Sequence, residues 1–147
     1  MIGHVNLGSL FFAGLSAGYL MAFVGYWMEG FLKLPRFDCS QDGVVYLGGE
    51  KRERWVVGII FHLFDSVLFA LIYAAWFIDV VAGPLWLRGL IFGVALAVAV
   101  QITIIVGSAG GGVHFKKIPK TPLAIFIDLF LTTIYGVALG VLYVPGS

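Results

Sequence analysis

Four apolar stretches, each long enough to cross a bilayer, decide what this chain can fold into. The first runs from about Leu7 to Met28 (LGSLFFAGLSAGYLMAFVGYWM) and holds no charged residue. The second, about Trp55 to Phe77, carries His62 and Asp65. The third, about Leu85 to Gly107, opens with Arg88 and has Gln101 as its most polar interior residue; the fourth, about Pro122 to Val144, carries Asp128. A helix needs roughly 20 apolar residues to cross the hydrocarbon layer, and each stretch exceeds that. In lipid the backbone can be satisfied only within a helix or a closed barrel, and nothing here alternates like a barrel strand. The expected fold is all-α: a four-helix transmembrane bundle made of two tandem two-span hairpins, forming one membrane domain over residues 1–147.

Composition supports the same reading. Apolar residues make up 61% and charged residues 12%, with a mean hydropathy of +1.02. Both values lie outside the range of soluble globular domains and opposite to that of disordered chains. Four spans and their connections use up the 147 residues and leave no soluble domain of enzymatic size. A net charge of +1 provides no basic field for nucleic acid. The lone Cys39 can form no internal disulfide. Residues 1–10 hold no Lys or Arg, so the first stretch reads as a retained span rather than a leader.

Eight of the nine basic residues fall in two connections. Lys33, Arg36, Lys51, Arg52 and Arg54 lie in 29–54, and Lys116, Lys117 and Lys120 lie in 108–121. The positive-inside rule then places both connections in the cytoplasm and both termini outside, in a prokaryotic cell (inner) membrane. Aromatic residues are expected at both boundaries: Tyr26, Trp27 and Trp55 on the inner side, Trp76, Trp86 and Tyr143 on the outer.

The two halves resemble each other. Gly14, Gly18 and Ala22 match Gly89, Gly93 and Ala97 in a shared GLxxGxxxA, at an offset of 75 residues. Ser66, Ala70 and Tyr73 match Gly136, Gly140 and Tyr143 at an offset of 70. Two-span repeats insert the same way up, so a pseudo-two-fold axis along the membrane normal is expected. Lipid tails are as apolar as leucine, so membrane helices associate by close backbone approach at small residues. These glycines, alanines and Ser66 therefore mark the packing faces.

The same residues carry a resemblance. The Gly-rich first span, then Leu34-Pro35-Arg36-Phe37-Asp38, then Gly58-Ile59-Ile60-Phe61-His62-Leu63-Phe64 ending in Leu71-Ile72-Tyr73-Ala74, resembles an uncharacterised prokaryotic family of small four-span integral membrane proteins. The third span opening Leu87-Arg88-Gly89 and the fourth ending Ala138-Leu139-Gly140 fit the same outline. Thr132 departs from it, standing where His62 stands in the first half. The resemblance implies a membrane bundle and no reaction.

Ionisable groups inside a bilayer are costly enough to be functional candidates by default. At a rise of 1.5 Å per residue, His62, Gln101 and Asp128 lie roughly 10 Å inside the cytoplasmic boundary and Asp65 roughly 15 Å. If their faces converge, His62, Asp65, Gln101, Asp128 and Thr132 form an intramembrane polar cluster, with Thr103, Thr133 and Tyr135 adding hydroxyls. Three readings compete for it: hydrogen bonds that fix the bundle, a proton or ion relay through Asp65, His62 and Asp128, and an axial-ligand role for His62. A two-histidine haem site within one chain is excluded by the placement of His4 and His114, and dispersed histidines with one cysteine argue against an all-protein metal site. The stretch 107–112 is glycine-rich but follows a membrane helix and lacks the Gly-Lys-Ser/Thr ending, so it reads as a flexible turn rather than a phosphate loop. The part of the first connection from Phe37 to Gly49 is the best place for an ordered partner contact.

No nucleophile–base pair or nucleotide fingerprint is present, and no enzyme is expected. Two functions stay open. One is a non-catalytic accessory subunit of a larger membrane complex, a respiratory or photosynthetic electron-transfer assembly, with other membrane subunits and lipids as partners. Such a subunit would hold no cofactor of its own, or at most share a chlorophyll-type pigment, haem or quinone at a subunit boundary. The other is a small homo-oligomeric proton, ion or solute transporter using Asp65, His62 and Asp128.

Overall fold

The computed structural model describes residues 5–34, 47, 55–112, 115–118 and 120–146. It is all-α, with four helices long and apolar enough to cross a membrane, packed as a bundle. Helix α1 is Leu7–Leu32, α2 is Trp55–Val80, α3 is Leu85–Ala109 and α4 is Pro122–Leu142. Helices α1, α2 and α3 overrun the apolar stretches by a few residues and α4 stops short of Val144, because local chemistry rather than hydropathy sets their ends. Helix α1 starts at Asn6, whose side chain accepts the Ser9 N–H at 3.1 Å. It continues past Met28 to Lys33, which closes the last turn in the left-handed region at φ 54° and donates its N–H to the Met28 carbonyl. Helix α4 begins on Thr121, which caps the Ala124 N–H at 3.2 Å, with Pro122 in the first turn where its missing N–H is harmless.

The turn between α2 and α3 is tight. Gly83 takes φ +120°, and Arg88 folds back to donate to the Gly83 carbonyl at 2.7 Å and the Ile78 carbonyl at 2.6 Å. The last part of α2 is not a regular α-helix, since Tyr73–Phe77 forms a π turn before Ile78–Val80 resumes. Buried positions before it step evenly by four (Gly58, His62, Ser66, Ala70). The π turn inserts an extra residue and turns both Tyr73 and Ala74 inward. Tyr73, Phe77, Phe92 and Tyr143 meet there, with Tyr73 edge-on to Tyr143 at 6.2 Å and 5.3 Å from Phe92. Tyr143 is thus a core residue, 2% exposed, and not the boundary anchor its position suggests. Trp76 and Trp86, at the same end, do face outward.

The bundle is apolar outside, and within it a few polar side chains are buried among an apolar core. Phe11, Phe23, Ile60, Phe64, Ile105 and Phe126 are exposed, whereas His62, Ser66, Asp128 and Thr132 are buried. That distribution suits a solvent of lipid, where burial of apolar surface gives no advantage and polar groups must find one another.

The matched residues of the two halves make matched contacts. A Cβ at Gly14 would strike Ala70 and the Ser66 carbonyl, and one at Gly89 would strike Gly140 and the Gly136 carbonyl. Likewise Gly18 meets Ser66 as Gly93 meets Gly136. Each hairpin is therefore crossed at the same pair of small-residue steps. Ala22 is only half-buried, whereas Ala97 is fully buried.

The symmetry ends between the hairpins. Helix α1 packs along α4, but α2 and α3 pack closely only near their shared turn, through the Tyr73–Val80 end of α2. The 75-residue offset puts Arg88 and Phe92 on α3 where α1 has the fully buried Ala13 and Ala17. The Phe92 ring stands 5.1 Å from Phe77, at the end where α2 and α3 meet. A cleft follows below it.

Candidate functional site

The cleft encloses about 300 Å³. Helix α2 presents His62, Asp65, Ser66 and Phe69 to it, α4 presents Asp128, Thr132 and Tyr135, and α3 supplies Leu96, Ala99, Val100, Thr103 and Ile104. Met21 of α1 completes the back wall. Of the residues singled out in the sequence, His62, Asp65, Asp128 and Thr132 line one cavity, and Gln101 joins them by donating to Asp128 Oδ2 at 2.6 Å. That bond ties α3 to α4 at one depth in the bundle.

The buried groups are held by backbone atoms. His62 lies 3.1 Å from the Gly18 carbonyl through Nε2. A carbonyl can only accept, so Nε2 carries the proton of this contact. The missing side chain at Gly18 is what permits this, because a Cβ there would fall 2.2 Å from Ser66 Oγ. Ser66 Oγ donates back to the His62 carbonyl at 2.7 Å, and Tyr135 donates across the bundle to the Ser66 carbonyl at 2.5 Å. Thr103 and Thr133 instead donate to carbonyls one turn back in their own helices, Ala99 at 2.9 Å and Leu129 at 2.7 Å. An axial bond from His62 through Nε2 would require the Gly18 contact to break.

Sequence reasoning undervalued Tyr135 and missed Phe115 and Ile118. The 70-residue offset that pairs His62 with Thr132 also pairs Asp65 with Tyr135, so both polar positions of α2 recur on α4 and face the same cavity. That signal was available in the repeat. Phe115 has no such signal. It sits in the short 3-10 turn Phe115–Lys117, and its ring lies where Cβ atoms at Gly107 (2.7 Å) and Gly112 (2.9 Å) would be. Phe115 and Ile118 thereby cover the end of the cleft at the connection between α3 and α4. The glycine-rich stretch is correspondingly not a loose turn: Gly107 and Ser108 belong to α3, Gly111 turns the chain at φ +89°, and Gly112 N–H bonds the Gly107 carbonyl at 2.9 Å.

Among the described residues, no three His, Cys, Asp or Glu side chains gather as a metal site. His4, Cys39, His114 and nearly all of the stretch from Phe37 to Gly49 lie outside the described residues. The four long apolar helices agree with a small four-span membrane protein. Comparison with family models, curated proteins and solved structures finds no match, so the chain is assigned to no family.

Proposed function

We propose that the protein is a small membrane transport protein that loads a proton or a small cationic solute in the cleft and works as a homo-oligomer. The observation that carries this reading is the cavity itself, with Asp65, Asp128 and His62 around it at the junction of the two repeats. Repeat junctions near the middle of the membrane are where transporters of repeated design hold their substrates. Hydrogen bonding that merely fixes a bundle has no use for an open space beside two carboxylates, since protein interiors otherwise close-pack. No reaction is assigned. The proposed setting is a prokaryotic inner membrane with both termini outside, and labelling of Cys39 by an impermeant thiol reagent from the outer side would overturn that orientation.

The test is reconstitution into sealed vesicles with a pH-sensitive dye inside. Asp65→Asn combined with Asp128→Asn is expected to abolish carboxylate-dependent flux while the protein still elutes at its normal size. Undiminished flux would sink the proposal.

One observation favours the second reading, a non-catalytic accessory subunit of an electron-transfer complex. The flank between α2 and α3 is open where its counterpart between α1 and α4 is closed, so a neighbouring subunit, pigment or quinone could seat there. Co-migration with a large redox complex in mild detergent would support it. An absorption band lost on His62→Ala would identify a shared pigment or haem.

A further inference from the structure

We propose that α1 pairs with α1 of a second copy of this chain, across a two-fold axis along the membrane normal, through its lipid-facing side around Ser16 and Tyr19. The inference shares with the transport reading only the homo-oligomer, to which it gives an interface. Helix geometry defines the face. At 3.6 residues per turn, Phe12, Ser16, Tyr19 and Phe23 fall on one side of α1, opposite the buried Leu10, Ala17 and Met21. Tyr19 is the anomaly on that side. It is 68% exposed, and at 1.5 Å per residue it stands about 18 Å from Leu7 and about 20 Å from Leu32, the two ends of α1. Tyrosine ordinarily sits at the membrane boundary, where its hydroxyl is wet; here the hydroxyl lies at the centre of the span, where water does not reach. Among the described residues neither Tyr19 nor Ser16 makes a side-chain hydrogen bond, whereas the exposed Thr103 returns its hydroxyl to the Ala99 carbonyl of its own helix. A hydroxyl stranded in hydrocarbon is costly, and a partner from outside the chain removes that cost.

The positions of the two hydroxyls indicate a second copy. Side chains on a helix lean toward its N-terminus, so the Tyr19 hydroxyl reaches back toward the level of Ser16, about 4.5 Å along the axis. The same basic connections orient both copies alike. Set face to face, each Tyr19 then meets the partner's Ser16 at its own level, and the two-fold axis makes both bonds at once. Ser16 is also the small residue of a shallow groove bordered by Leu15, Tyr19, Leu20 and Phe23. That groove gives the incoming ring a seat, and close approach at a small residue is how membrane helices associate. Met21, on the opposite side of α1, lines the cleft, so pairing on this face leaves the α2–α3 flank open.

The experiment measures Förster transfer between full-length copies labelled with donor or acceptor at Cys39, mixed in phosphatidylcholine vesicles and diluted with lipid. Transfer is expected to rise linearly with the acceptor fraction, as a pair requires. Tyr19→Phe keeps the ring but removes both hydroxyl bonds of the pair, and should raise the protein-to-lipid ratio at half-dissociation by about tenfold or more. Ser16→Leu, which fills the groove, should abolish transfer while circular dichroism stays unchanged. Phe64→Ala, on the lipid side of α2, should leave transfer as it was. No transfer at any ratio, the result if a different subunit covers this face, overturns the proposal. So does an unmoved half-point in Tyr19→Phe, or a loss as large in Phe64→Ala. Carboxylate-dependent flux without transfer would remove this interface and leave the cleft as a transport site. Transfer with the expected Tyr19 dependence but without such flux would do the reverse.

Discussion

Replacing Gly89 by alanine tests whether the repeat glycines act through backbone contact. The added Cβ would lie 2.2 Å from the Gly136 carbonyl oxygen and 2.9 Å from the Gly140 backbone. Ordinary contact begins near 3.4 Å, so α3 and α4 must separate by about 1.2 Å at their closest point. The obstacle is the backbone of a packed helix and cannot rotate away as a side chain would. Overpacking of this kind costs about 1–3 kcal/mol, and a rigid obstacle belongs at the upper end. Against this, alanine gains about 1 kcal/mol over glycine in helix propensity, which leaves a net loss of about 2 kcal/mol. Gly14→Ala faces a milder obstacle, Ala70 Cβ at 2.9 Å and backbone at 3.1 Å, so its two effects should nearly cancel. Gly30→Ala meets nothing within 4 Å and should be neutral or slightly stabilising. Equilibrium unfolding by SDS in mixed micelles, followed by circular dichroism, ranks the three. If Gly89→Ala falls within about 0.5 kcal/mol of Gly30→Ala, well below the overpacking range, backbone approach is not what holds the second hairpin together.

Three further outcomes follow from the hydrogen bonds and the cover of the cleft. Tyr135→Phe and Gln101→Leu each remove one interhelical bond and should each destabilise by about 0.6–1 kcal/mol; because the bonds join different helix pairs, the double variant should be additive in the same titration. Arg88→Ala strips donors from the Gly83 and Ile78 carbonyls and should cost about 1 kcal/mol, with Arg88→Lys recovering part of it; a neutral Arg88→Ala would show that the turn holds without them. Gly107→Ala should push the Phe115 ring aside and speed labelling of a Val100→Cys variant by a water-soluble thiol reagent, whereas an unchanged rate would mean that the Phe115 turn does not cover the cleft.

The places where structure departed from expectation share a cause. In water, the apolar face of a helix announces which side turns inward. In lipid both sides are apolar, so the sequence of α2 gives no hint from hydropathy that Phe64 faces out while Ala70 and Tyr73 face in. Only glycines and polar residues mark the inner side, and Gly14, Gly18, Gly89 and Gly93 stand at close approaches to the neighbouring helix. Tyr143 was misplaced because an aromatic at the end of a span suits a boundary and a core equally well. The π turn at Tyr73–Phe77 has no composition of its own, and it coincides with the packing of Phe92 against Phe77 and Tyr73.

What this sequence determines by itself is the number of helices, their approximate limits and the two hairpins. The first two follow from run length against membrane thickness, the last from small residues recurring at fixed offsets. The tertiary structure alone decides that α1 closes along α4 while α2 meets α3 mainly near their shared turn. It also decides that Gln101 reaches Asp128 and that Phe115 folds over Gly107. Each of these joins residues from separate helices or turns, and only packing sets the rotation of one helix against another. Without that rotation, His62, Asp65 and Asp128 are three costly residues in three positions; with it, they share one cavity.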